Sequence, residues 1–335
     1  METTMSRKLF ALSLTATLMG GAAYADTPRV AVDIAPVHSL VARVMDGIGK
    51  PDLIIRSGAS PHEYSLRPSE ASALQAADLV FWIGPGLTPW LTDTIGTLAS
   101  DAVVTELMEA DGTIELEFRE GALFEAHDHD DHGDDDDHDD HKDHDDHGDD
   151  DDHEEAESGH EGHDHGAHDP HAWLSPKNAM NWLNVIAGRL SAVDPENAGT
   201  YFANAAAGRT EIETLIGEVT ATLDPVRGGR FIVFHDAYQY FEMDFDFPAS
   251  GAISISDASD PSPARIAKIQ ARITEQGIDC VLAEPQFNPG LVATVLDGSD
   301  AQTGILDPLG SDLEPGPAFY PQLIRNLSTA LAGCL

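Results

Sequence analysis

The sequence predicts an α/β protein of two lobes, each with a parallel sheet, joined by one long helix. Short apolar runs, many of them β-branched, alternate with segments of helical periodicity, and this alternation is typical of parallel sheets. The longest helical segment, 194–223, has little Gly and no Pro beyond its first turn, so it separates two sets of strands. We therefore predict lobes at 26–193 and 224–335, with 194–223 as the linker helix.

Seven strands are predicted in chain order. They are 29–34, 52–56, 78–83, 230–234, 252–256, 279–283 and 303–306. Helical periodicity is clear at 68–77 and 263–276, and Ser175-Pro176 has the pattern that opens another helix.

Residues 1–25 have the pattern of a signal peptide. Arg7 and Lys8 precede an apolar run at 9–22, and Ala23-Tyr24-Ala25 supplies the small residues at which a signal peptidase cuts. The run is too short to anchor the chain across a hydrocarbon core of about 30 Å, and we find no later stretch apolar enough to do so. We therefore expect a periplasmic protein that is not inserted in the membrane.

An acidic, histidine-rich insert occupies residues 127–168. Its 42 residues include 12 histidines and 21 acidic residues, and they carry about half of the net charge of −41. Because it has so few apolar residues, we expect a disordered loop. Imidazole and carboxylate both bind borderline divalent cations, so we interpret the insert as a metal-capture segment, with a solubilising acidic linker as the alternative. Its histidines are His127, His129, His132, His138, His141, His144, His147, His153, His160, His163, His165 and His168.

The overall charge and the two cysteines restrict the function further. A net charge of −41 excludes nucleic acid and anionic membrane surfaces as partners. Cys280 and Cys334 are separated by 54 positions, and in an oxidising compartment such a pair is expected to form a disulfide. A thiolate metal site is the alternative, although no C-x-x-C pair supports it.

Four histidines lie outside the insert, namely His38, His62, His171 and His235. In open α/β sheets, ligands bind beyond the carboxyl ends of the strands. His235 directly follows a predicted strand, His62 follows another by a short loop, and His171 lies between the insert and a helix. His38 instead falls at the start of a helix, where we expect a structural histidine.

Three of these histidines predict a zinc site where the two lobes converge. Three neutral imidazoles with one oxygen ligand or a water form a tetrahedral site that suits Zn²⁺. Asp307 directly follows the last predicted strand and is the candidate oxygen donor. The predicted ligands are therefore His62, His171, His235 and Asp307.

Five segments carry a recognisable set of motifs. They are GASPHEYSLRPSE (58–70), DPHAWLSP (169–176), FIVFHDAYQYFE (231–242), AEPQF (283–287) and LDPLG (306–310). In this order they resemble the ZnuA-type zinc-binding proteins of bacterial ABC importers, and the match extends to the position of the insert and the pair of cysteines. The resemblance implies two pseudo-Rossmann lobes joined by one long helix, with the metal ligands His62, His171 and His235 in the cleft. Manganese-preferring relatives have a Glu in the place of His235, so the resemblance implies zinc.

The resemblance leaves the fourth ligand open. Some relatives use a Glu immediately before the first histidine, where this chain has Pro61. Asp307 matches an aspartate ligand of manganese-binding relatives, whereas in zinc proteins a water can take that place. Glu284 either supports a ligand through a hydrogen bond or has a purely structural role.

Together these features predict a monomeric protein that captures Zn²⁺ in the periplasm and delivers it to an inner-membrane ABC permease, which works with its cytoplasmic ATPase. We do not predict an enzyme. An exported zinc hydrolase would need the same three histidines, but the sequence has no H-E-x-x-H helix and offers only Glu63 as a nearby base. A periplasmic zinc buffer or chaperone is the second alternative. On metal release we expect small lobe movement and local disorder of the His171 segment rather than a large hinge opening.

Overall fold

The computed structural model describes residues 27–119, 124, 168–254 and 261–335. In these residues the strands form two parallel four-stranded sheets flanked by helices, with one long helix between the two sheets along the chain, which confirms the predicted fold class. The predicted signal peptide and the insert up to residue 167 lie outside the described residues. The domain boundaries stay predictions.

The first sheet has the strand order β2-β1-β3-β4. Its strands are β1 (Val30–Val32), β2 (Asp52–Leu53), β3 (Leu79–Trp82) and β4 (Val103–Glu106). The sequence prediction omitted β4. This edge strand leaves Val103 44% and Val104 40% exposed and continues into polar residues, so it lacks the apolar run of a buried strand.

The second sheet has the order β6-β5-β7-β8, so it repeats the topology of the first. Its strands are β5 (Phe231–His235), β6 (Ala252–Ser254), β7 (Cys280–Ala283) and β8 (Gln302–Ile305). Strand β5 is buried along its whole length and pairs with both β6 and β7. Its carboxyl end, His235, therefore lies at the middle of the sheet edge where ligands of such folds bind.

Helices connect the strands and cover the sheets. In chain order they are α1 (Ala35–Val44), α2 (Pro68–Ala76), α3 (Pro89–Leu98), α4 (Pro176–Val193), α5 (Ala198–Leu223), α6 (Gln239–Phe245), α7 (Pro263–Gln276), α8 (Pro289–Leu296) and α9 (Phe319–Cys334). Several begin with Pro in the first turn, where its missing N–H has no intrahelical partner to lose. Within the described ranges, no helix combines the length and the apolar composition required to cross a bilayer.

The long helix α5 packs against other helices and does not simply link the two halves of the chain. Its 26 residues extend over about 39 Å. One face is buried against α1, α4 and α9; the buried positions are Tyr201, Ala205, Gly208, Ile212, Leu215, Val219 and Leu223. At Gly208 a Cβ would come within 3.0 Å of Leu183 and 3.2 Å of Arg43, so glycine allows the close approach of the neighbouring helices.

One hydrophobic core extends across both halves of the chain. It includes residues of the first sheet such as Val32, residues of α5 such as Leu215, and residues of the second sheet and α9 such as Phe231 and Leu327. Because these side chains pack as one cluster, a large opening between the sheets would expose apolar surface to water.

A disulfide between Cys280 and Cys334 confirms the predicted pairing. Cys280 begins β7 and Cys334 ends α9, and both residues are buried. The bond therefore attaches the last helix to an inner strand of the second sheet.

We predict that the double substitution Cys280→Ala with Cys334→Ala lowers the free energy of unfolding by about 4 kcal/mol. The disulfide closes a loop across 54 positions, and without it the unfolded chain regains conformational entropy. Urea unfolding monitored by circular dichroism measures the change. Wild-type protein unfolded under reducing conditions is the matched control and should lose a similar amount. A loss below about 1 kcal/mol would contradict the prediction.

Candidate metal centre

Three histidines from distant parts of the chain meet in one pocket. His62 lies in the loop between β2 and α2, His171 precedes a short 3₁₀ turn before α4, and His235 ends β5. The ring centroids of His62 and His171 are 5.7 Å apart, and those of His171 and His235 are 5.2 Å apart. His171 and His235 are buried, and His62 is half-buried.

The Nε2 atoms of His171 and His235 are 3.4 Å apart. Two nitrogen ligands at about 2.0–2.1 Å from a tetrahedral zinc ion would be separated by about 3.3 Å. The pair of nitrogens is therefore spaced as one edge of such a coordination sphere.

Buried carboxylates orient both rings. His171 Nδ1 lies 2.6 Å from Asp169 Oδ1, and His235 Nδ1 lies 2.7 Å from Glu284 Oε1. When each Nδ1–H donates to its carboxylate, each Nε2 carries its lone pair toward the pocket. Two lone pairs facing each other at 3.4 Å repel, so the arrangement favours a bound cation between them.

Strand register places Glu284 beside His235. Strands β5 and β7 are parallel, with Phe231 opposite Cys280 and Ile232 opposite Val281. Continuing this offset to the carboxyl end brings Glu284, the first residue after β7, opposite His235. Its Oε1 also accepts a hydrogen bond from the backbone N–H of His235. Glu284 thus makes the hydrogen bond that supports a candidate ligand, although a separate structural role stays open.

Asp169 is held by contacts on both of its sides. Its Oδ1 accepts the backbone N–H of His171 at 3.0 Å, and its carbonyl oxygen accepts the hydroxyl of Tyr240 at 2.7 Å. Burial raises the pKa of Asp169 to about 7, while the backbone N–H of His171 opposes that shift. Burial likewise raises the pKa of Glu284, and His235 opposes the shift. A cation in the pocket would therefore favour the ionised form of both carboxyls.

The pocket is small and mostly apolar. The free space inside it is about 10 Å³, room for about one water-sized group and far below the usual range of about 300–1,000 Å³ for organic ligands. Besides the histidines it is lined by Ser60, Pro61, Trp173, Glu284, Gln286, Phe287, Pro308 and Leu309. Apolar walls of this kind keep bulk water away and strengthen the interaction between a cation and its ligands.

Asp307, the predicted fourth ligand, is not among the described residues that line the pocket. Its Oδ1 accepts the backbone N–H groups of Leu309 and Gly310, and its Oδ2 accepts the N–H and the hydroxyl of Ser311. This carboxylate therefore orders its own loop. As the described side chains stand, no group of three or more His, Cys, Asp or Glu residues is arranged to hold a metal ion.

The other sequence candidates lie outside the pocket. Glu63 is exposed, and His38 is buried in α1 with Nε2 3.1 Å from the carbonyl oxygen of Pro51. Burial lowers the pKa of His38, as expected of a structural histidine. Of the insert's histidines only His168 is described. It is paired with Glu117 in an antiparallel bridge, and its Nδ1 is 3.2 Å from Glu115 Oε2.

An arginine just before the insert contacts the residue that follows His235. Arg119 donates to Asp236 through Nε at 3.0 Å and to Glu242 through Nη1 at 2.7 Å. Burial raises the pKa of Asp236 and of Glu242, and the guanidinium opposes both shifts. Arg119 is thus fixed beside the candidate metal pocket.

Comparison with known proteins assigns the family. The family model described as ZnuA, zinc-uptake complex component A, periplasmic, matches residues 30–334. The chain belongs to the ZnuA family. Proteins named High-affinity zinc uptake system protein ZnuA are similar to it: that of Brucella abortus is 52% identical over 91% of each chain, and that of Paracoccus denitrificans is 48% identical over 93% of each. ZnuA proteins are components of an uptake complex and not an enzyme family.

The fold of the ZnuA family is also found among solved structures. The structure described as Crystal structure of ZnuA superposes with a TM-score of 0.70, covering 92% of this chain and 99% of that one at 21% sequence identity. This likeness agrees with the two sheets and the long helix described above.

Three residues of the site were missed by sequence reasoning. Asp169, Arg119 and Gln286 each contact a candidate ligand or its neighbour, or line the pocket. A signal existed for Asp169, since an Asp two residues before a His is within reach of its Nδ1. Arg119 carried no local signal because both of its partners are more than 100 positions away.

We predict that Asp169→Ala lowers the affinity for zinc about 10- to 100-fold, because His171 loses the group that orients its ring. Asp169→Asn keeps an acceptor oxygen and should lose less. Competition with a chromophoric chelator measures both affinities. Asp78→Ala, which removes a carboxylate bound to Arg29 outside the pocket, is the control and should bind as tightly as the parent protein. Equal affinity for Asp169→Ala would contradict the role of Asp169.

Proposed function

We propose that the chain binds one Zn²⁺ ion through His62, His171 and His235 and delivers it to the permease of an ABC importer. The observation that supports this most directly is the pair of Nε2 atoms 3.4 Å apart, each on a ring oriented by a buried carboxylate. Nitrogen ligands in a tetrahedral arrangement suit zinc better than manganese or magnesium, which prefer more oxygen ligands. The names of its relatives refer to zinc uptake and agree with this choice.

Delivery requires that the metal can leave the site. The three candidate ligands differ in how deeply they are buried. His171 and His235 are buried, whereas His62 is half-buried in a loop. We infer that the contact with His62 is the one that the permease disturbs most easily. Because one core extends through both halves, release proceeds by small movements and local rearrangement near the pocket rather than by wide opening.

The location and the partners follow from the same proposal. The predicted signal peptide and the disulfide both suit an oxidising compartment, and we place the protein in the periplasm. Its partner is an inner-membrane permease coupled to a cytoplasmic ATPase, and the chain acts as a monomer. The insert raises the local supply of zinc without forming the tight site.

A hydrolytic function is disfavoured by the surroundings of the histidines. A zinc hydrolase needs a base within reach of the metal-bound water and space for a substrate. Glu63 is exposed, both carboxylates nearest the imidazoles already bind ring nitrogens, and the pocket is smaller than organic substrates usually need. We therefore propose that the protein is not an enzyme.

Zinc titration calorimetry tests the site. The protein should show one tight site, which the double substitution His62→Ala with His235→Ala abolishes. Deleting residues 127–167 should keep the tight site and remove weaker binding. His168 is retained in this variant because it pairs with Glu117. His38→Ala is the control histidine substitution and should keep the tight site. Weak sites that disappear with the insert, and no tight one, would overturn the proposal.

Uptake measurements separate delivery from mere buffering. Cells that lack this protein should accumulate zinc slowly and grow poorly at low zinc. Excess zinc or the wild-type gene should restore growth, and the His62→Ala, His235→Ala variant should not. A buffer or chaperone would instead leave the rate of zinc entry across the inner membrane unchanged.

A further inference from the structure

Gln286 lines the candidate metal pocket, and one of its amide atoms has no partner among the described residues. Its Nε2 donates to Asp307 Oδ1 at 3.1 Å. Asp307 as a carboxylate can only accept, so this contact fixes which end of the amide faces away from it. Gln286 Oε1 is shielded from solvent, and no donor in the described ranges contacts it.

Each carboxylate near the pocket binds another group through at least one oxygen. Asp307 accepts four hydrogen bonds from its own loop, Glu284 Oε1 binds His235, and Asp169 Oδ1 binds His171. The second oxygen of Glu284, Oε2, is buried and no donor among the described residues contacts it, but Glu284 lies on the Nδ1 side of the His235 ring, behind the nitrogen that faces the pocket. Position 61, next to His62, is a proline without a side-chain donor atom. Three imidazoles therefore leave one place of a tetrahedral zinc ion to a ligand from outside the protein.

We propose that Gln286 positions a water molecule as the fourth ligand of zinc, by accepting a hydrogen bond from that water at Oε1. This inference rests on the proposed function. A metal-bound water is a strong hydrogen-bond donor, and a buried amide oxygen is an acceptor that its own carboxylate contact holds in place. Asp307 then acts through Gln286: it orients the amide instead of binding the metal.

The charges around the site agree with a neutral fourth ligand. Three neutral imidazoles and a water leave both charges of Zn²⁺ uncompensated by its direct ligands. Asp169 and Glu284 each accept a hydrogen bond from the Nδ1 of an imidazole ligand. Their negative charges therefore compensate the charge of the ion from behind the rings, without contacting it. A third carboxylate on the metal is not required, and a water exchanges faster than a protein side chain when the ion is released.

The experiment compares Gln286→Met with wild type, using the full chain with one equivalent of zinc or cobalt. Methionine keeps the length of the side chain and removes the acceptor. We expect zinc affinity to fall about 10-fold, as for other groups that orient a metal ligand. In the cobalt-loaded variant, the visible spectrum should change and azide should bind more tightly, because the competing water is no longer held. Loss of the Asp307 contact alone would not increase azide binding.

Gln239→Met is the matched control. Its amide also donates through Nε2, to the carbonyl oxygen of Glu117, and its buried Oε1 likewise has no partner among the described residues, but it does not line this pocket. This variant should match wild type in affinity and spectrum. If Gln286→Met does not fold, a crystal structure of the zinc-loaded wild type answers the question directly, and a metal-bound water within hydrogen-bond distance of Gln286 Oε1 supports the proposal.

Three results would overturn it: an unchanged cobalt spectrum and azide affinity in Gln286→Met, an oxygen of Asp307 or Glu284 bound directly to zinc, or Gln286 Oε1 itself on the metal. These differ from failure of the proposed function, in which wild type would have no tight zinc site.

Discussion

Two buried hydrogen bonds between imidazole and carboxylate determine what this pocket can bind. They fix which ring nitrogens face inward, and they place two carboxyl groups behind the imidazoles, where these groups would balance the charge of a divalent cation. The rest of the fold serves this geometry. Parallel pairing of β5 and β7 brings Glu284 beside His235, and the contact of Tyr240 with Asp169 fixes the segment that carries His171.

Much of the fold, and the convergence of three histidines in one pocket, could be predicted from sequence because their signals are local. Alternating apolar runs and helical periodicity indicate parallel sheets, and polar residues after strands indicate the ligand edge. His62, His171 and His235 stand out because histidine is otherwise rare outside the insert. Strand β4 was not predicted because an exposed edge strand has no strong apolar pattern.

The sequence alone does not show what each carboxylate near the pocket binds. Asp307 follows a strand as a ligand would, yet its oxygens accept hydrogen bonds from the three residues Leu309, Gly310 and Ser311, a turn that only the folded loop reveals. Glu284 depends on strand register, and Arg119 on contacts made across more than 100 positions of chain. Sequence position identifies which groups are near the site, whereas hydrogen bonding decides which of them remain available to a metal.

The paired residues Glu117 and His168 give this architecture freedom to vary. Glu117, which precedes the insert in sequence, and His168, the last residue of the insert, pair with each other, and Arg119 contacts Asp236. Closing a longer loop between fixed ends costs little additional entropy, about 0.6 kcal/mol per doubling of its length. Evolution can therefore lengthen, shorten or recompose the intervening segment while the metal pocket stays intact, and the same position would accept an inserted reporter domain as a sensor of the metal.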